Sequence, residues 1–280
     1  MRILLTGRNG QVGWELERSL GPLGELIATD RAVLDLADPE SIRRAVREAR
    51  PEVIVNAAAY TAVDRAESQP EAAMRINGAA PGVLAAEARR LGALLVHYST
   101  DYVFDGAKQA PYREEDRPNP LNVYGKSKLE GEQAVAAGGC RHLILRTSWV
   151  YSARGNNFLR TILRRAREQP ELRVVNDQIG APTSAAAIAR ATAAVLGHDQ
   201  REGIFNMSAS GKTSWHGFAE AIVARAGLAT HIVGIRTEDY PTAARRPRNS
   251  LLDNAKLNAV FGITLDDWRP PLAAVMAEIA

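Results

Sequence analysis

The chain has 280 residues, 46% hydrophobic and 24% charged, which allows a nucleotide-binding domain with a smaller companion and excludes wholesale disorder. Net charge is only +3, with bases interspersed among acids, so no nucleic-acid partner is expected, although a local basic pocket for a phosphorylated ligand stays open. Cys140 is the single cysteine, and no apolar run reaches membrane-spanning length. An intramolecular disulfide is therefore excluded, and a cytoplasmic protein without a membrane partner is expected.

"RILLTG" (2–7) reads as a first strand running into a helix over 11–21. The junction "LLTGRNGQVG" carries Gly7, Gly10 and Gly13, with Asn9 inside the turn. Such a turn needs positive φ, a missing Cβ where backbone meets a pyrophosphate, and a small residue where helix meets sheet. The amides at the helix start then face an anion. Dinucleotide binding is the expectation. A second strand (25–30) ends in Asp30, placed to accept hydrogen bonds from an adenosine ribose, which favours NADH. Arg8 and Arg31 pull toward NADPH, since either guanidinium could pair with a 2′-phosphate. Asp35 and Leu36 could flank the adenine, and Asp38 or Ser41 could cap a helix over 41–50. The strand over 52–59 ends in Ala57, Ala58 and Ala59, small enough for a cofactor to pass closely, with Val63 just beyond.

A helical stretch over 70–92 should kink or restart at Pro81. The strand over 93–100 delivers Ser99, Thr100, Asp101 and Tyr102 at its carboxyl end, where an open α/β sheet binds ligands. Tyr124 and Lys128 follow, four residues apart, on one face of a helix. Ketone reduction requires a hydride donor on one face and an acid for the developing alkoxide. A free tyrosine, with a pKa of about 10, needs a neighbouring ammonium to lower it. A strand over 142–151 carries Trp149, whose ring either covers a sugar or packs in the core. Beyond it, helices at 157–169, 184–197, 214–226 and 253–261 alternate with strands at 172–177, 203–209 and 231–235. Arg245, Arg246 and Arg248 in "ARRPRN" offer cations for a diphosphate, while Arg164, Arg165 and Arg167 read as solvated and His97 as a satisfied core residue. Asn156 and Asn157 either cap a helix or reach the ligand.

The βαβ alternation with near-continuous apolar strands implies a Rossmann-type, doubly wound parallel α/β sheet with a smaller α/β substrate-binding part. The dinucleotide-binding domain is expected over 1–150 and the substrate part mainly over 151–280, with 172–200 returning to the main sheet.

Together "GQVGWEL", "VNAAAYTAVDRAES", "HYSTDYVFDG", "PLNVYGKSKLEGE", "RTSWVY", "GNNF", "NDQIGAPT" and "ARRPRNS" resemble the extended short-chain dehydrogenase/reductase family. They resemble most its branch that reduces the 4-keto group of dTDP-4-dehydro-β-L-rhamnose with NADPH or NADH. The resemblance, which covers nearly the whole chain, implies Tyr124 as proton donor, Lys128 as its partner and ribose ligand, and Thr100 as the hydroxyl on the carbonyl. It implies cofactor contacts from Gly10, Gln11, Val12, Asp30, Asp35, Leu36, Ala59, Tyr60 and Thr61. Thr100, Asp101 and Trp149 are implied on the nucleotide-sugar substrate. Some relatives are thought to form dimers through magnesium; Glu15 is available here, but Ala185 and Ala186 stand where a glutamate would be needed. This argues against magnesium and leaves a homodimer through other contacts open. The rival readings are a nucleotide-sugar epimerase or dehydratase with tightly held NAD, and a non-catalytic cofactor-binding subunit. Asp101-Tyr102 after Thr100 argues against a dehydratase, and an intact Tyr124/Lys128 pair against the subunit.

Overall fold

The computed structural model describes residues 1–198 and 202–279. β1 (Arg2–Thr6), α1 (Gln11–Leu20), β2 (Glu25–Thr29), α2 (Pro39–Ala49) and β3 (Val53–Asn56) open the chain. A short α3 (Val63–Ser68) precedes one long helical run: α4 (Pro70–Ala73), a π-helical stretch (Met74–Ala79) and α5 (Ala80–Leu91). β4 (Leu94–Thr100), α6 (Val123–Ala137) and β5 (His142–Thr147) follow. The second half holds β6 (Val150–Tyr151), α7 (Phe158–Glu168), β7 (Glu171–Val175), β8 (Ile179–Gly180), β9 (Thr183–Ser184) and α8 (Ala185–Leu196). It continues through β10 (Gly203–Asn206), β11 (Thr213–Ser214), α9 (Trp215–Arg225), β12 (His231–Ile235), α10 (Ala255–Phe261) and α11 (Arg269–Ala277).

Six strands pair in parallel in the order β10-β5-β4-β3-β1-β2. The apolar runs are continuous because both faces are covered. Ile3, Leu5, Val53, Val55, Val96 and Leu145 pack with α1, α8 and α10 through Leu16, Ile188 and Phe261. The alternate residues Leu4, Ile54, Leu95 and Ile144 pack with α2, α5 and α6 through Ile42, Leu84 and Val135. Strand order reverses between β1 and β3, which opens a crevice at their carboxyl ends.

Residues 172–177 do not extend the main sheet: β7 pairs with β12, and β10 takes the edge beside β5. The physical reason is visible in β7 itself, where Glu171 and Arg173 are exposed while Leu172 and Val174 are buried. That alternation suits a strand covered on one side only. Its inner face joins Leu159, Phe218, Ile232 and Leu272 in a separate core for the second half. The strand expected over 142–151 is also broken, because Trp149 has a φ of 47° between β5 and β6.

The helical run over 70–91 is continuous, but the α-helix restarts at Pro81: a π-helical stretch ends at Ala79, and Pro81 sits in the first turn of α5. Proline has no N–H for the carbonyl of Asn77, and α6 comes close to that carbonyl. A Cβ on Gly131 would lie 2.1 Å from Asn77 O.

Candidate active site

A cleft of about 870 Å³ lies along the carboxyl ends of the central strands. At its floor Gly7 has a φ of +73°, and a Cβ there would lie 2.8 Å from Ala58 N. The turns after β1 and β3 therefore touch at the point of strand-order reversal, as the glycine spacing requires. Gly10 caps α1 with no side-chain bond to the first amides, which leaves them open to the cleft. Gly13 does not line the cleft; it brings α1 against the turn, where a Cβ would lie 2.0 Å from Gly7 O. Asn9, Gly10, Gln11 and Val12 line one wall. Asp30, Asp35 and Leu36 line the next, beside Leu34.

The two arginines weighed for a 2′-phosphate separate clearly. Arg31 lines the cleft and pairs with Asp35 at 3.2 Å. Arg8 is held by Glu17 at 2.7 Å and is not part of the lining. Ala57, Ala58, Ala59, Tyr60 and Thr61 form the opposite wall, with Val63 at its end. Asn77 fixes that wall: its Oδ1 accepts from Tyr60 N at 2.8 Å, and its Nδ2 donates to Tyr60 O at 2.9 Å and to Ser127 Oγ at 3.0 Å. Sequence reasoning missed Asn77, because nothing local marks an asparagine inside a helix as a clamp between two other elements.

Tyr124 and Lys128 sit on the first turns of α6, both lining the cleft beside Thr100 and Asp101. Asn122 caps that helix by accepting from Gly125 N at 2.8 Å. A Cβ on Gly125 would lie 2.2 Å from Tyr102 O, so glycine lets the helix start abut the end of β4. The Tyr102 and Tyr124 rings meet edge-on at 5.7 Å. Burial pushes the Tyr124 phenol up to about 12; the Thr100 hydroxyl acts to lower it and the Asp101 carboxyl to raise it. Lys128 is buried and donates to Tyr98 O at 2.6 Å. Burial lowers its ammonium to about 8, against a raising influence from Glu132. The tyrosine is therefore not acidified in this structure as its spacing from Lys128 suggested; desolvation dominates both groups. Asp101 is pushed up to about 7 by burial, with the Ser250 and Thr100 hydroxyls partly offsetting it.

Trp149 and Trp215 stack at 3.5 Å with planes 8° apart and form the far end of the cleft. Gly180 admits the Trp149 ring, since a Cβ there would lie 2.4 Å from it. Trp215 was not singled out from the sequence, because its partner is reached only through the fold. Gln11 ties the glycine turn to the second half, its Oε1 accepting from Asn157 Nδ2 at 2.8 Å and Ser152 Oγ at 3.1 Å. Asn157 also caps α7, and both it and Asn156 line the cleft. Arg245 and Arg246, expected on a diphosphate, are not on the cleft wall. Arg246 forks onto Asp64 at 2.7 and 3.1 Å, an arrangement matched to a carboxylate, and Arg245 is exposed.

The residues present fit a dinucleotide. Glycine backbone and open helix amides lie at one end, and at the reacting end Ser99 Oγ and Thr147 Oγ1 are buried without a hydrogen-bond partner among the described residues. Both line the cleft, and unpartnered buried hydroxyls are satisfied by a polar ligand. Fold and cleft define a doubly wound α/β reductase of the extended short-chain dehydrogenase/reductase type.

The chain belongs to the family described as RmlD substrate binding domain, which matches residues 1–280. It is 54% identical over 285 residues to a dTDP-4-dehydrorhamnose reductase of Burkholderia thailandensis, with 96% of each chain covered. A solved dTDP-4-dehydrorhamnose reductase from Clostridium acetobutylicum superposes with a TM-score of 0.96 at 39% identity, over 99% of both chains. One from Bacillus anthracis, in complex with NADP, gives 0.95 at 36% identity, again over 99% of both chains.

Proposed function

We propose that the protein reduces the 4-keto group of dTDP-4-dehydro-β-L-rhamnose, giving dTDP-L-rhamnose, with NADPH or NADH as donor. The observation that carries this reading is the convergence of Tyr124, Lys128 and Thr100 on one wall of the cleft whose floor is the Gly7–Ala58 contact. Gly7, Asn9, Gly10, Gln11 and Val12 would hold the pyrophosphate, and Asp30 and Arg31 the adenosine end. Bound there, the reduced nicotinamide supplies the hydride for the ketone carbon.

The remaining chemistry belongs to the chain. Thr100 Oγ1 hydrogen-bonds the carbonyl oxygen and orients it. The Tyr124 hydroxyl gives its proton to that oxygen as negative charge develops. A phenol with a pKa of about 12 is protonated throughout the neutral range, as a proton donor must be. Lys128, one turn away, returns a proton to the phenolate and holds the nicotinamide ribose. Asp101, buried beside Thr100, turns its carboxyl toward the sugar, and Trp149, stacked on Trp215, closes the far end of the sugar site.

Loss of nicotinamide absorbance on adding dTDP-4-dehydro-β-L-rhamnose, followed with NADPH and NADH in turn, tests the assignment. Steady consumption with formation of the 4-hydroxy sugar is expected. Stoichiometric NAD retained through purification, with no consumption of added donor, would assign the protein to the epimerases instead.

A further inference from the structure

His97 is a buried titratable group that the proposed mechanism does not use. It lies on β4, and its two ring nitrogens face different partners. Nδ1 is 3.0 Å from Asn56 Nδ2, and Nε2 is 3.5 Å from Lys128 Nζ. Asn56 is the last residue of β3; its Oδ1 accepts from Thr6 Oγ1 at 2.7 Å. Thr6 in turn accepts from the backbone N–H of Ala58 at 3.2 Å, on the cofactor wall.

The direction of this chain of hydrogen bonds follows from which Asn56 atom faces each neighbour. Thr6 Oγ1 accepts from the backbone N–H of Ala58 and faces Asn56 Oδ1, which can only accept, so Thr6 gives its own proton to that amide oxygen. The amide of Asn56 then presents its NH2 to the ring, so Nδ1 of His97 is an acceptor and carries no proton. A neutral ring with Nδ1 bare has its hydrogen on Nε2, the atom that faces the lysine.

We propose that His97 is a positioning residue for Lys128, held by Thr6 and Asn56 in the tautomer that points an N–H, not a lone pair, at the lysine nitrogen and so favours the neutral amine. A neutral amine satisfies both neighbours: it donates to Tyr98 O and accepts from Nε2–H with its lone pair. An ammonium has no lone pair to accept with and would set N–H against N–H. Burial acts on His97 in the same direction, holding the ring neutral well below the usual histidine range. The other charged and titratable groups around Lys128 lie on the elements packed about it. Glu132 on α6 raises the ammonium, its charge held in a pair with Arg146 of β5 at 2.6 and 2.9 Å, Tyr124 is uncharged at neutral pH, and Asn77 beside Ser127 is neutral. The consequence, resting on the reductase reading above, is that the lysine gives up a proton to the Tyr124 phenolate more readily. His97 tunes this proton and does not supply it, because an amide at Nδ1 can donate but cannot relay.

The test reads the cofactor-free protein by NMR. The chain has five histidines and five lysines, so His97→Gln and Lys128→Met assign the two signals directly. Ring 15N shifts should show His97 neutral with its proton on Nε2 throughout the range where exposed histidines titrate. The Lys128 Cε signal should titrate near pH 8. In His97→Gln an amide oxygen can turn to the lysine, and the midpoint should rise by about one unit. Thr6→Val keeps the imidazole but frees Asn56 to present Oδ1 to Nδ1. The ring proton then moves to Nδ1, a lone pair faces Lys128, and the same upward shift follows. The alkaline limb of kcat/KM should move with the lysine. A wild-type proton on Nδ1, or an unmoved lysine midpoint in the variants, overturns the inference, and the wild-type tautomer decides even where a variant does not fold. An enzyme inert toward the keto sugar removes the reductase reading alone, since these titrations need neither cofactor nor substrate.

Discussion

At the scale of single residues, Tyr124 is half-buried, its phenol desolvated and raised to about 12, and edge-on to Tyr102, so its ring is held by packing and its hydroxyl by chemistry. Tyr124→Phe removes only the second. Turnover should fall by about 10²–10⁴-fold, the usual worth of a general acid, while cofactor affinity by fluorescence titration stays within about twofold. Asp101 gives a test that does not depend on turnover. Its carboxyl titrates near 7 in the fold and near 3.9 when unfolded, so the native state binds the proton more tightly. The stability this contributes is present in full below the unfolded value and is lost as pH rises through about 7, amounting to at most about 4 kcal/mol. Asp101→Asn should abolish that slope, so urea midpoints of wild type and variant should draw apart between about pH 4 and 7; parallel curves would show the carboxyl solvated. The residues that local chemistry marks, the glycine turn and the Tyr124–Lys128 spacing, were legible in the sequence. Asn77, Trp215 and the Arg246–Asp64 fork were not, because each takes its role from a partner far away in the chain.

Among elements, α6 shows how a helix carries a site. Its cap residue Asn122 fixes where it starts, and the same side chain donates to Arg245 O at 2.7 Å, which ties the helix start to the second half. Gly125 lets that start rest against Tyr102 O. Gly125→Ala should therefore push the first turn away from β4 while Val135, deep in the core, keeps the rest of the helix seated. A displacement of about 1 Å at the reacting groups can lower kcat by about 10²-fold. The expected result is that loss with an unchanged circular dichroism spectrum; full activity would show that the helix start tolerates the extra methyl. Strands buried on both faces announced themselves by continuous apolar runs, and helices by their period. β7 misled because apolar residues alternating with charge fit any half-covered sheet, and which sheet it joins depends on β12, more than 50 residues away. The break at Trp149 was hidden because a tryptophan at positive φ is held by tertiary contacts, here Gly180 and Trp215.

For the whole molecule, the question is what holds the sheet to the loops and helices of the second half, and Arg146 is the centre of the answer. It lies inside β5, fully buried, with a two-pronged pair to Glu132 of α6 at 2.6 and 2.9 Å and the Phe104 ring 5.0 Å from its guanidinium carbon. Its third nitrogen donates to Glu114 O at 3.3 Å. The Glu114 carboxylate accepts from Asn206 N of β10 at 2.7 Å, and Asn206 Nδ2 donates to Tyr112 O and Asp253 O at 2.8 and 3.0 Å. One buried cation thus begins a network spanning the sheet, the loop between β4 and α6, and the segment leading into α10. Arg146→Met leaves the Glu132 carboxylate buried without its partner, which should destabilise the fold by about 3–5 kcal/mol in urea denaturation. Pairing it with Glu132→Leu removes the stranded charge, so the double variant should recover most of that loss, because the pair itself offsets its own desolvation only narrowly. A single variant that loses under about 1 kcal/mol would mean that water reaches Glu132. If the double variant is no better than the single, the Glu114 bridge, and not the ion pair, holds the halves together.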